Sequence, residues 1–378
     1  MPKKGFQLNN LPNLLASATD KPGWALCIGA GTSMPVFPDW YTLAEEMAKQ
    51  LVPNKSFRAV EIKELGFSPD AMIQMVKNLS KVDDVEFTKQ MRTILYRNLR
   101  SKMSVEDWKI VSEILGANNI SNCSLSKWRF FSQYRDTILN TTTAYQIAPV
   151  ILDAIAQKNG PQIILSFNAE PLLLTILNSF IVDQNDQMPK KVFSKVINSV
   201  SNYGMDIIPY VFCHGLLPVN DTSHKFSASI DKLVFLENEY LHIANNSFSW
   251  QSATFLNTCV SKHIVFIGTS LTDPNMRRWL SWTHTNRLDE MRQNNLNIKD
   301  STQHYWIRTM PTNRDVLPWI ESAVAHLGIR VVWIETWDQV GLALGKMLGL
   351  YSQPKVANNI NRDRCVKHKV PRRRHPNQ

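Results

Sequence analysis

Residues 24–33 read Trp24-Ala25-Leu26-Cys27-Ile28-Gly29-Ala30-Gly31-Thr32-Ser33. The apolar run Trp24–Ile28 predicts a buried strand, and Gly29-Ala30-Gly31 predicts a tight turn at its carboxyl end. Runs of the same character recur at Gln162–Phe167, Ile207–Cys213, His263–Ile267, His304–Ile307 and Ile329–Ile334, most of them separated by helical stretches. Short apolar strands alternating with helices predict an α/β fold with a Rossmann-like, doubly wound, mainly parallel sheet. After Pro38-Asp39-Trp40 the pattern becomes helical. Ala44, Met47, Ala48 and Leu51 share one helix face, as do Ile147, Val150, Ile151, Ala154 and Ile155 further on. The stretch from about 41 to 158 therefore reads as a large helical insertion without strands of its own.

Composition narrows the class. The 378 residues are 44% apolar and 20% charged, values of a globular protein and not of a disordered one. No window approaches ~18 uninterrupted apolar residues, so no membrane span is expected. Met1-Pro2-Lys3-Lys4-Gly5 leads into polar Gln7, Asn9 and Asn10 in place of the apolar core of a signal peptide, and the expected location is cytoplasmic. Cys27, Cys123, Cys213, Cys259 and Cys365 are scattered and form no CxxC pair, so neither zinc nor a disulfide framework is expected. The net charge of +10 is concentrated at one end: residues 351–378 hold eight Lys/Arg and one acid, giving +7 and leaving +3 for the rest. Residues 1–350 are expected to form one α/β domain, and 351–378 a basic, disordered tail. That tail is the only place where the sequence offers a contact for nucleic acid.

Four motifs fall at successive strand ends. Gly29–Ser33 follows the first strand, where glycines allow close approach of a pyrophosphate and free turn amides can bind its charge. Met34 occupies the last glycine position of GxGxxG, so the dinucleotide fingerprint is incomplete. Ser166-Phe167-Asn168-Ala169-Glu170-Pro171 puts an amide side chain at the next strand end; Asn168 or Glu170 could equally open the following helix as its cap. Cys213-His214-Gly215 places a histidine at a strand terminus, suited to general-base work near neutral pH. Phe266-Ile267-Gly268-Thr269-Ser270-Leu271-Thr272-Asp273-Pro274 ends a strand in a glycine and two hydroxyls. Asp273 there serves either a ligand or as a cap with Pro274 in the first turn.

Taken together, Gly-Ala-Gly, Asn, His-Gly and Gly-Thr-Ser in this order resemble the sirtuin family over about residues 24–335. The resemblance implies NAD+ as substrate, held by Gly29, Ala30, Gly31, Thr32 and Ser33, by Ser166 and Glu170, and by Gly268, Thr269, Ser270 and Asp273. Asn168 and His214 would be the catalytic pair. Phe37-Pro38-Asp39-Trp40 keeps only the Pro-Asp and an aromatic of the family's GIPDFR loop, which adds Asp39 and Trp40 to the cofactor-binding set. The four-cysteine zinc module of sirtuin deacylases is missing, and no metal is implied. The long insertion and the Phe266–Asn275 phrase look like the sirtuin-like domains of bacterial anti-phage systems, which hydrolyse NAD+. One departure stands out: the usual Asn-Tyr-Asp is Asn168-Ala169-Glu170, with an acid one methylene longer.

The resemblance implies cleavage of NAD+ to nicotinamide and ADP-ribose in a defence effector that is silenced by homo-oligomerisation or by a partner protein such as a HerA-type ATPase. A protein deacylase and a non-catalytic NAD+ or ADP-ribose-binding subunit are the alternatives. The first lacks its zinc module; the second has only the Ala169-Glu170 departure to suggest it.

Overall fold

The computed structural model describes residues 5–11, 13–15, 23–199, 206–220, 234, 236–239, 241, 249–297 and 301–351. Its strands are β1 (Phe6–Gln7), β2 (Trp24–Ile28), β3 (Ile164–Ser166), β4 (Phe193–Val196), β5 (Ile208–Phe212), β6 (His263–Ile267), β7 (His304–Thr309) and β8 (Ile329–Ile334). They form one eight-stranded sheet in the order β1-β8-β7-β6-β2-β3-β5-β4, and every pairing is parallel. The doubly wound parallel sheet expected from the sequence is therefore present. From β2 the chain winds to one side through β3, β4 and β5, then returns beside β2 as β6 and winds the other way. The crevice at the carboxyl ends of β2 and β6 is thus the topological switch point, where ligands of such sheets bind.

Between β2 and β3 lie only helices among the described residues: α1 (Trp40–Leu51), α2 (Ala59–Glu64), α3 (Pro69–Ser80), α4 (Asp84–Arg100), α5 (Val105–Gly116), α6 (Leu125–Thr137) and α7 (Thr143–Ala156), with a short 3-10 turn before α6. Several open on side-chain caps that the sequence supplies: Asp39, Asp83, Ser104, Ser124 and Thr142 each accept from a backbone amide of the first turn. The remaining α-helices among the described residues are α8 (Leu172–Asp183), α9 (Trp250–Ser261), α10 (Pro274–Gln293), α11 (Leu317–Ala325) and α12 (Val340–Met347).

Strand alternation sends side chains into two separate cores. Leu26, Ile28, Val265 and Ile267 join the larger core with the insertion, α8 and α12. Ala25, Cys27, Ile264 and Phe266 join the smaller one with Phe255 of α9, Trp279 of α10 and Val324 of α11. The insertion is clamped to α8 by Arg135, which donates to Asp183 at 2.6 Å and stacks over the Phe180 ring at 3.9 Å. Cys27, Cys123, Cys213 and Cys259 are buried free thiols, whereas Cys365 and the tail beyond Tyr351 lie outside the described residues. No helix among the described residues is long and apolar enough to cross a membrane.

Candidate active site

The first two loops of the switch point meet backbone to backbone. Gly29 N donates to Ile267 O at 3.1 Å and Gly31 N to Gly268 O at 3.0 Å. A Cβ on Gly29 would lie 2.8 Å from Gly268 O, and one on Gly31 would lie 3.0 Å from Gly268 Cα. Gly268 itself has φ +68°, and a Cβ there would sit 2.5 Å from Thr32 N. These glycines are thus needed for the two loops to touch each other, a demand that the sequence reading had assigned to a pyrophosphate. The amides differ from that reading too. Thr32 N and Ser33 N close a 3-10 turn onto Gly29 O and Ala30 O, so the N–H groups of Gly29, Gly31, Thr32 and Ser33 are all engaged by protein carbonyls. The loop also does not open a helix directly: α1 starts only at Trp40, with Asp39 accepting from Thr42 N at 2.7 Å as its cap. Any helix-dipole contribution to anion binding at Gly29–Ser33 is removed with it.

Side chains converge at the end of β3. Asn168 is 2% exposed, and its Nδ2 lies 3.2 Å from Thr32 Oγ1, 3.2 Å from Ser33 Oγ and 2.9 Å from Glu170 Oε1. Glu170 accepts three donors in all: Ser33 Oγ–H at 2.5 Å, Asn168 Nδ2 and the Leu172 amide at 2.5 Å. Glu170, not Asn168, therefore meets the first amide of α8, whose N-cap position is held by Pro171. Burial pushes the Glu170 carboxyl above its ordinary range, outweighing the hydrogen bonds from Ser33, Leu172 and Asn168 that pull it down. The Nδ2 half of Asn168 thus belongs to the fold. Its Oδ1 is buried and has no hydrogen-bond partner. A buried amide oxygen without a donor is unfavourable by about 1–3 kcal/mol unless a water or a ligand meets it. Ser166 is fully buried and accepts from Asn168 N at 3.2 Å, holding the turn that carries the amide.

His214 follows β5 and packs edge-on against Phe167, with ring centroids 4.8 Å apart. Burial pushes it down to about 3, so the ring is neutral at physiological pH and is a weaker base than the near-neutral histidine inferred from sequence. It shares a cavity of about 20 Å³, room for one water, with Gln251, Asp273 and Asn275. A second cavity of the same size adjoins Asn168, Glu170, Ser33, Ala30 and Trp40. Phe167, the residue before Asn168, lines the histidine cavity and touches the ring, so it connects the two groups. Asp273 accepts from Asn275 N and Met276 N and so caps α10, with Pro274 in its first turn, while still lining the histidine cavity. Thr269 Oγ1 is a second buried oxygen without a partner, and Trp306 Nε1 fixes the Thr269 carbonyl at 3.1 Å. Ser270 is exposed and bonds Thr272 Oγ1 at 2.7 Å. Gln251 and Asn275 were not singled out from sequence; neither stands at a strand end, and only the packing of α9 and α10 brings them to His214. No group of three or more His, Cys, Asp or Glu among the described residues could hold a metal ion.

A parallel switch-point sheet with Asn, His and Gly-Thr-Ser at its carboxyl edge defines a Rossmann-like α/β protein with polar groups where such sheets hold their ligands. Residues 207–326 match the family model of the SIR2-like domain, a stretch running from β5 through α11 that includes His214 and Gly268–Ser270. The chain thus carries a Sir2-type domain, and this domain implies binding or use of NAD+. Gly29–Ser33 and Asn168 lie outside the matched stretch, which covers about a third of the chain. No curated protein matches the chain.

Proposed function

We propose that this chain is an NAD+ glycohydrolase that converts NAD+ and water into nicotinamide, ADP-ribose and a proton. The observation that carries the reading is Asn168: its amide nitrogen is tied into the fold while its buried Oδ1 has no protein donor. A ribose hydroxyl is a donor of the right kind to meet that oxygen. In the reaction the bond between the ribose C1′ and the pyridinium nitrogen breaks, and its electron pair neutralises the departing nicotinamide. Water attacks the oxocarbenium-like C1′ as Asn168 orients the ribose, and His214 accepts the proton. Since burial leaves His214 neutral, it is competent to accept a proton without a prior deprotonation. Positioning carries more of the rate than basicity does in this arrangement, because a base held this low takes up a proton weakly.

Binding falls to Gly29–Ser33, Asp39, Trp40, Ser166, Glu170, Gly268–Ser270 and Asp273. Residues 1–350 act as one NAD+-binding unit that includes the insertion, and 351–378 as an appended basic segment. Following the sirtuin-like resemblance, the protein works in the cytoplasm as an effector of bacterial anti-phage defence, kept silent by homo-oligomerisation or by a partner such as a HerA-type ATPase. Incubating the full chain with NAD+ and an acetylated peptide tests the activity. Free ADP-ribose is the expected product; acetyl-ADP-ribose would make the protein a deacylase, and intact NAD+ would make it a binding subunit.

A further inference from the structure

A cavity of about 310 Å³ that shares no lining residue with the proposed NAD+ set lies between the exit of α5 and the segment Leu216–Asn220 that follows β5. This is the lower end of the size range of small-molecule pockets. Its walls include apolar Leu115, Pro171, Leu216 and Leu217, and on one side Lys195 of β4. Lys195 Nζ donates to Ala117 O at 2.9 Å. The acid that lines the same cavity, Glu113, is already paired with Lys127. Tyr96 and Cys123 are the other titratable groups in the lining, and both are pushed upward by burial and so stay neutral. Burial pushes Lys195 down to about 8, with no nearby carboxylate acting in the opposite sense.

A half-buried ammonium beside apolar walls, without a counter-ion among the described residues, is an incomplete arrangement, because charges taken from water are ordinarily paired. We propose that this cavity binds a small organic anion, an acid group on a compact apolar body, with the acid group against Lys195 Nζ. The apolar walls take the body of the ligand, and the carbonyl of Ala117 fixes the direction of the ammonium. The site adjoins the catalytic loops: Leu217 N donates to Ala169 O at 2.8 Å, and Tyr96 Oη donates to Leu217 O at 2.9 Å. The competing role for Lys195 is purely structural, a cap on the carbonyl just past the end of α5.

The test uses the full chain without NAD+, so its outcome is separate from that of the glycohydrolase reading. Octanoate and 1-octanol serve as charged and neutral probes in titration calorimetry. Octanoate should bind at least about tenfold more tightly than octanol, and Lys195→Met should remove that preference. In the unaltered protein, labelling of Lys195 by trinitrobenzenesulfonate at about pH 8, read by peptide mass mapping, should be slowed by octanoate and not by octanol; this arm holds even if Lys195→Met fails to fold. No octanoate binding, equal binding of the two probes, binding unchanged in Lys195→Met, or labelling indifferent to octanoate would each overturn the proposal and leave Lys195 as a helix cap.

Discussion

Replacing Glu170 by alanine tests the network that holds Asn168. The carboxylate receives Ser33 Oγ–H, Asn168 Nδ2 and the Leu172 amide, all of them buried. Loss of the cap on Leu172 costs about 1 kcal/mol. Ser33 can turn its hydroxyl elsewhere, and the Asn168 amide keeps the hydroxyls of Thr32 and Ser33 at 3.2 Å but loses its closest acceptor, at 2.9 Å; a lost hydrogen bond to a charged group costs about 1.5–3 kcal/mol. Together these amount to about 2–4 kcal/mol, opposed by relief from burying a carboxylate. The pH dependence separates the opposing terms. Burial raises the folded-state pKa of Glu170 above its unfolded value, so the unaltered protein binds an extra proton when folded. Its advantage over Glu170→Ala is fully present below the unfolded pKa of about 4.5 and shrinks as pH rises through the raised folded value. Urea unfolding of both proteins at about pH 5.5 and about pH 8 measures the difference directly. Glu170→Ala should be less stable by about 2–4 kcal/mol at the lower pH, with a smaller gap at the higher. Equal stability at the lower pH, or a gap that widens with rising pH, would refute the assignment of Glu170 as the anchor of Asn168.

Because desolvation holds His214 down to about 3, kcat/KM for NAD+ should stay flat from about pH 5 to about pH 8, and a fall centred near the usual histidine value of about 6.5 would contradict a half-buried, neutral ring. The same shift makes stability decline as pH falls below about 6.5, because the unfolded histidine takes up a proton that the folded one refuses. Gly268→Ala puts a Cβ at φ +68° and 2.5 Å from Thr32 N; it should destabilise the fold by at least about 2 kcal/mol in urea unfolding, and a neutral substitution would mean that the two glycine loops do not touch. Arg135→Ala leaves the Asp183 side chain, 30% exposed, with only the Ser132 hydroxyl and should cost about 1–3 kcal/mol in a single transition monitored by circular dichroism. Separate unfolding of the insertion before the sheet would instead make it an independent unit.

Much of this architecture is legible in the sequence because burial on both faces of a parallel sheet leaves nearly continuous apolar runs. Trp24–Ile28, His263–Ile267 and Ile329–Ile334 all read as strands for that reason. β1 and β4 escape the same logic. β1 is only Phe6–Gln7 and pairs at the sheet edge with β8, and β4 carries Ser194 and Lys195 in its four residues at the opposite edge. The cap at Asp273 was one of two roles readable from its place before Pro274, whereas Asp39, given to the cofactor by resemblance, caps α1. What the linear order could not reveal was which group met which. Gly29 and Gly31 are small because Gly268, more than two hundred residues later, lies against them. Equally hidden was the environment of His214: its position after a strand is a local fact, but its low proton affinity arises from enclosure by distant residues such as Trp279 and Gln251.

The measurement closest to the central claim is nicotinamide release at saturating NAD+ by the unaltered chain, Asn168→Ala and His214→Ala, with NAD+ binding measured in parallel. The account predicts release by the unaltered protein and at least about a hundredfold slower release by Asn168→Ala, whose lost Oδ1 orients the ribose, with binding largely kept. His214→Ala should fall below about a tenth of the unaltered rate while still binding NAD+. Turnover by Asn168→Ala at the unaltered rate would contradict the account, because the orphaned amide oxygen on which it rests would then have no part in the reaction.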